Sequence, residues 1–320
     1  MIFKTTISLN QYAPIATTTN FISLRQLVAN VEEDNLIPVI GEALYDKINV
    51  DDETSLTDSL KKLLDKARAL VAPMVAYQFT SLTEVKLSDA GAQRTATNNF
   101  QSAYQNQVVN FKQQNLTDSI KATERLYKFL EKNIEDYPDW TDSDEFKNYR
   151  SLFIKTGGEF DNNFRTASPY TNFYALRNFM ADVEQSVIKK LLGADLFSAL
   201  KATEANPDWQ HTDAEKDLLI SLKKAIAFLS VAAAIPFLDV RLDGNGFTVM
   251  NSAAGQNDAL TKRSAAEADR MNNYIKACKT NAATYINNIS EWLAENTSPL
   301  PEAPPPDNGN TDRSGAFGMF

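Results

Sequence analysis

The stretch "NFISLR" at residues 20–25 returns as "NFYALR" at residues 172–177. Asn20, Phe21, Leu24 and Arg25 recur as Asn172, Phe173, Leu176 and Arg177, at an offset of 152 residues. The same offset sets Ala29, Val31, Glu32, Gly41 and Leu44 over Ala181, Val183, Glu184, Gly193 and Leu196. Upstream, "IFKT" at 2–5 faces "FIKT" at 153–156. Downstream, after a three-residue insertion, Thr57, Asp58, Lys61, Leu63 and Leu64 meet Thr212, Asp213, Lys216, Leu218 and Leu219. Further on, "EVKL" at 84–87 meets "DVRL" at 239–242, and "FLEKN" at 129–133 meets "WLAEN" at 292–296. Blocks kept in order with small gaps mark a tandem duplication, residues 1–150 and 151–297. A period of this length means two domains, since solenoid repeats run to about 20–50 residues, and 320 residues suit two domains.

Within each half, Leu24, Leu27, Val28 and Val31, and likewise Leu176, Phe179, Met180 and Val183, follow the i, i+3, i+4, i+7 spacing of an amphipathic helix. Gly41 and Gly193 suit a helix end, before the short helices "EALYDKI" and "ADLFSAL". Thr57 and Thr212 offer N-caps to a long apolar helix, which Pro73 and Pro236 are placed to kink or end. A last long helix closes each half, over about 97–133 and 259–296. "YPDW" (137–140) and "NPDW" (206–209) are turns outside the duplicated pattern. The first stretches, "IFKTTISL" and "LFIKTGGEF", read as strand-like edges able to pair. About eight extra residues in "DGNGFTVMNSAAGQND" predict a hairpin near Gly246–Met250 in the second half alone. The fold class is therefore mainly α: two tandem helical domains with a minor β-hairpin.

From Ser298 the composition changes. "SPLPEAPPPDNGNTDRSGAFGMF" is rich in Pro, Gly and Asn, and its Pro304–Pro306 run favours an extended polyproline conformation. The apolar tip Phe317, Met319 and Phe320 reads as a docking peptide on a tether, so residues 298–320 are taken as an extended arm.

Chemistry is faint by comparison. Lys and Arg number 32 against 41 Asp and Glu, a net charge of −9, which argues against nonspecific attraction to nucleic acid or anionic membrane. One cysteine, Cys278, excludes an internal disulfide and multi-thiolate metal sites. The apolar run at 225–238 is shorter than the roughly 20 residues that span a bilayer, and the N-terminus lacks a signal-peptide core. The expectation is a soluble protein made in a cytoplasm. His211, in "NPDWQHTD", is the single histidine and reads as a surface loop residue. Cys278 reads as a buried structural thiol, since a nucleophile needs a base beside it. The run "VEEDN" (31–35) reads as a solvated helix face. The matched Glu32/Glu184 and Arg25/Arg177, seven residues apart, suggest a shared polar link. "GNGF" lacks the Lys-Ser/Thr ending of a phosphate loop. No catalytic residue, cofactor or metal is expected.

The helix patterns "TDSLKKLLDKARALVA" and "EKDLLISLKKAIAFLSVAAA", each followed by a helix pair with a loop or hairpin, resemble the small helical head–tail connector proteins of tailed bacteriophages. With "FLEKNIEDYPDW" and the duplicated "IGEALYDKI", the whole chain is similar to proteins of Bacteroides-infecting, crAss-like phages and prophages. That resemblance implies a virion protein without enzymatic activity. It would sit in the neck as a ring-shaped homo-oligomer that meets the portal and tail proteins and surrounds DNA without reading it. The competing reading is a cytoplasmic helical enzyme or regulatory module that uses the groove between the two domains.

Overall fold

The computed structural model describes residues 1–83, 85–88, 91–94, 105–143, 146–147, 150–205, 210–238, 240–243, 246–249 and 265–296. The first domain opens with extended residues and helix α1 (Thr6–Asn10), followed by α2 (Phe21–Val31). A π-helical turn, Glu32–Leu36, then leads into α3 (Ile37–Ile40) and α4 (Glu42–Ile48). Helix α5 (Asp58–Thr83), strands β1 (Val85–Ser88) and β2 (Gly91–Arg94), helix α6 (Gln105–Lys132) and the short α7 (Pro138–Thr141) complete it. The second domain repeats the series. It has α8 (Gly157–Asn163), α9 (Pro169–Val183), a π turn at Glu184–Ile188, α10 (Lys189–Leu192) and α11 (Ala194–Ala205). Helix α12 (Asp213–Ala234), strands β3 (Val240–Asp243) and β4 (Gly246–Val249), and α13 (Ala265–Asn296) follow.

The local chemistry explains these boundaries. Thr212 caps α12 by accepting from Glu215 N at 3.3 Å, while the Glu215 carboxylate accepts from Thr212 N at 2.8 Å, a complete capping box. Thr57 accepts from Leu60 N at 3.4 Å at the matching place, where leucine stands for the glutamate. Gly41 and Gly193 both adopt φ +80° with ψ near 160°, a region essentially closed to side chains, and each joins two helices at an angle. An added Cβ meets nothing within 4 Å at either position, so only backbone strain opposes it. Gly193→Ala should therefore lower stability by about 1–3 kcal/mol, as should Gly41→Ala, measurable by thermal unfolding.

The stripes Leu24, Leu27, Val28, Val31 and Leu176, Met180, Val183 are buried as their spacing predicts, while Phe179 of the second is only half-buried against the core. They pack on the long helices α5 and α12, which pair in turn with α6 and α13. Each fully buried Leu or Phe of this core contributes about 2–3 kcal/mol.

Several expectations are corrected. Pro236 follows the end of α12, but Pro73 lies inside α5. The residues around it, Leu70, Val71, Ala72, Met74, Val75 and Tyr77, are all buried, so packing outweighs the lost hydrogen bond. The Ser119 hydroxyl donates to Leu70 O at 3.1 Å, a carbonyl in the turn before the proline. The opening stretches do not pair as strands. Thr5 and Thr156 cap short helices there, accepting from Ser8 N at 3.2 Å and Glu159 N at 3.0 Å. The hairpin is not confined to the second domain either. Val85 pairs with Arg94 as Val240 pairs with Val249, so both hairpins share one register and one length. The extra residues of the second half therefore fall after Val249. Residues 206–209, the start of each last helix, and the whole arm with Pro304, Pro305, Pro306, Phe317, Met319 and Phe320 lie outside the described residues.

Candidate functional site

Two polar assemblies lie at matching places in the two domains. Glu32 and Glu184, each the first residue of a π turn, are 1% and 2% exposed. Glu32 accepts from Ile2 N at 2.9 Å, and Glu184 from Phe153 N at 2.7 Å. The second oxygen differs. In the first domain it accepts from the Tyr45 hydroxyl at 2.6 Å, with Met1 N 3.7 Å away. In the second it pairs with Lys201, which also donates to Ser151 O at 2.6 Å. Burial raises both carboxyls above the usual range, against the pull of these partners. The Glu32/Glu184 match is thus a polar link, but to the opening segment of each domain and not to the arginines. Arg25 is exposed and Arg177 half-buried elsewhere. Within "VEEDN", Glu33 and Asp34 are exposed, while Glu32 and Asn35 are buried.

His211 is not a free loop residue. Its side chain is 15% exposed, with Nε2 3.2 Å from Glu204 and Nδ1 buried without a hydrogen-bond partner, 3.8 Å from Glu215. Lys223 lies 2.9 Å from Glu204 and 3.0 Å from Glu159. Burial pulls the Lys223 pKa down, yet the two carboxylates outweigh it and the net shift is upward. The corresponding cation of the first domain is Arg68, which donates to Ile2 O at 2.8 Å and to Glu53 at 3.0 Å. In both domains this cation ties the long helix to neighbouring segments, a holding role. Cys278 is buried in α13, and burial pushes its thiol to about 11. Among the described residues no group of three His, Cys, Asp or Glu side chains is placed to hold a metal ion.

The third assembly joins the domains. Helix α6 of the first lies against α9 of the second. Ser168, the N-cap position of α9, makes no side-chain cap. Glu124 of α6 supplies it instead, accepting from Tyr170 N at 3.1 Å, Thr171 N at 2.8 Å and the Thr171 hydroxyl at 3.0 Å. Two turns further along α6, Glu131 accepts from Gly157 N at 3.1 Å and the Tyr174 hydroxyl at 3.2 Å. Both carboxylates thus sit at positive helix ends. Between them the Tyr127 and Tyr174 rings stack at 3.8 Å and 12°. Gly157 admits no larger residue here, since an added Cβ would fall 2.4 Å from the Tyr170 ring. Beside this seam a cavity of about 480 Å³ opens, lined among others by Glu42, Tyr127, Trp140, Phe146, Tyr174 and Arg177.

Burial raises the pKa of Glu124 and of Glu131 above the carboxylate value. Between the unfolded value near 4.5 and the raised folded values, the folded chain holds protons that the unfolded chain has released. Stability from these groups is complete below pH 4.5 and falls as pH rises through the folded values. Melting temperature followed upward from pH 4.5 should decline in the native chain. It should decline less steeply in the Glu124→Gln/Glu131→Gln variant.

The profile of a family of unknown function (DUF6712) matches residues 36–150 and again 188–313. The two matches start 152 residues apart, the offset that aligns α2 with α9. They end 163 apart, the offset that aligns "FLEKN" with "WLAEN" and hence α6 with α13. No curated protein and no solved structure matches the chain.

Proposed function

The chain belongs to this family of unknown function, and we propose that it is a structural subunit of a tailed-phage neck, a head–tail connector that joins portal to tail. The observation that carries the reading is the way the two copies of one module meet. The α9 side of one packs on the α6 side of the other, so the contact uses two different faces. Contacts of that kind close rings when the rotation allows. The net charge of −9 suits a wall that DNA passes without sticking. Among the described residues no helix is long and apolar enough to cross a membrane. The resemblance to phage connectors points the same way. In this reading the arm docks its tip, Phe317, Met319 and Phe320, on a neighbouring subunit, the portal or a tail protein.

The test is protein mass spectrometry of purified particles from the phage or induced prophage that carries the gene. The chain should be recovered in fixed ratio to the portal protein. Its absence from particles, with presence in the infected cell, would overturn the assignment. Deleting residues 312–320 should lower particle yield if the arm docks, and unchanged yield would remove the arm from the proposal.

One observation favours a second reading, a binding module. The seam cavity is lined by Arg177 together with Trp140 and Phe146, whose rings meet edge-on at 4.8 Å. A small molecule that copurifies with the chain and is lost in Arg177→Ala would support that reading.

A further inference from the structure

A contact between two unlike faces leaves one copy of each face unused at the two ends of a two-module chain. The duplication identifies both. At the offset of 152, the α9 residues Tyr174, Arg177, Asn178 and Ala181 correspond to Ile22, Arg25, Gln26 and Ala29 of α2. Tyr174 is 8% exposed against Tyr127, whereas Ile22 is 79% exposed. Ile22, Arg25, Gln26 and Ala29 border a shallow open groove with Met1.

At the offset of 163, the α6 residues Ile120, Glu124, Tyr127 and Glu131 correspond to Ala283, Asn287, Ser290 and Ala294 of α13. All four α13 residues are exposed. The register is sound, because the same offset carries the buried Asn115, Ser119 and Leu126 onto the buried Cys278, Ala282 and Ile289.

We propose that these two free faces, Ile22–Arg25–Ala29 on α2 and Ala283–Asn287–Ser290–Ala294 on α13, are the halves of one head-to-tail contact between copies of this chain. It repeats between chains the packing that joins the domains within one. The cap chemistry matches. In the second domain the helix begins a turn earlier, at Pro169, and Glu124 caps it, while Asn172, now inside its first turn, binds the hairpin, accepting from Val249 N at 2.9 Å and donating to Phe247 O at 3.0 Å. In the first domain the corresponding Asn20 caps its own helix, accepting from Ile22 N at 3.0 Å. The α13 face therefore needs no carboxylate where α6 has two, and it carries Asn287 and Ala294 there. Its small residues let the helix backbone approach closely. Ile22 meets them in place of the tyrosine stack. Glu291 and Glu295 on the border of α13 are exposed and of opposite charge to Arg25.

The inference rests on the duplication and not on the virion assignment. A chain that assembles head to tail but is missing from particles keeps this contact and loses the neck role. The experiment is sedimentation velocity on the purified full chain from low to high micromolar concentration, with Ile22→Arg and Ser290→Arg as single variants, so that the two blocked faces repel each other. The native chain should form species larger than a monomer. Each variant should melt at the native temperature and sediment as a monomer. Mixed in equal amounts, the two variants still hold one intact α2 face and one intact α13 face, and should form a heterodimer that grows no further. A native chain monomeric at high concentration would overturn the contact. So would single variants that assemble as the native chain does, or a mixture that stays monomeric.

Discussion

Glu184→Ala is expected to lower the unfolding free energy of the full chain by about 3–5 kcal/mol, measured by urea denaturation. The carboxylate is 2% exposed and carries two obligations. One oxygen holds Phe153 N, and the other holds Lys201, whose ammonium sits 4.0 Å over the Phe153 ring. Truncation leaves the half-buried Lys201 ammonium with Ser151 O but without its counter-charge, and leaves the buried Phe153 N–H without an acceptor. Glu184→Gln keeps an acceptor for Phe153 N and removes only the charge, so it should lose about half as much. Glu184→Leu with Lys201→Met removes both charges at once and should recover most of the loss, since a well-packed apolar pair can replace a buried ion pair. In the first domain the second oxygen of Glu32 accepts from the neutral Tyr45 hydroxyl, and the nearest cation, the Met1 ammonium, stands farther off at 3.7 Å. Glu32→Ala should therefore lose less, about 2–3 kcal/mol. Equal losses at the two sites would mean that Lys201 contributes nothing.

These sites also measure what the residues disclosed before the fold. The duplication was legible because core positions recur with helical spacing, and Leu24, Val28, Leu176 and Met180 are all buried in place. The burial of Glu32 had a signal that spacing alone could carry. It stands four residues after Val28 and eight after Leu24, on the same inward ridge, as Glu184 stands to Met180 and Leu176. Its charge argued for the outer face, and its main partner, a backbone N–H thirty residues upstream, has no side-chain signature. The link to Arg25 failed for the same reason. The first hairpin stayed hidden because "SDAG" lacks the paired-glycine turn of "DGNG", although "EVKL" already matched "DVRL". His211 looked solitary because Glu204 and Lys223 come from helices before and after its loop. The seam was not legible at all. Glu124 and Glu131 belong to a largely polar helix, and their partners are chiefly backbone N–H groups of another domain.

That seam carries the second large effect. Glu124→Ala with Glu131→Ala should lower stability by about 3–5 kcal/mol, from the lost cap of α9 and the unpaired donors left at half-buried sites. A global number would not distinguish the seam from any other packing loss, so the place of the damage is the better measure. Hydrogen exchange should quicken at Gly157, Tyr170 and Thr171, whose N–H groups the two carboxylates hold. The first amides of α2, Ile22 among them, should be unchanged, because Asn20 caps that helix from within its own domain. The stacked Tyr127 and Tyr174 rings would remain, so the domains should stay in contact while their joint loosens. Adding Tyr174→Ala to the pair removes the stack as well and should split one unfolding transition into two, as happens when two domains no longer share a rigid interface. If exchange rises equally in α2 and α9, the carboxylates act on the whole chain and not on the joint. The domains would then be coupled through their common apolar core instead.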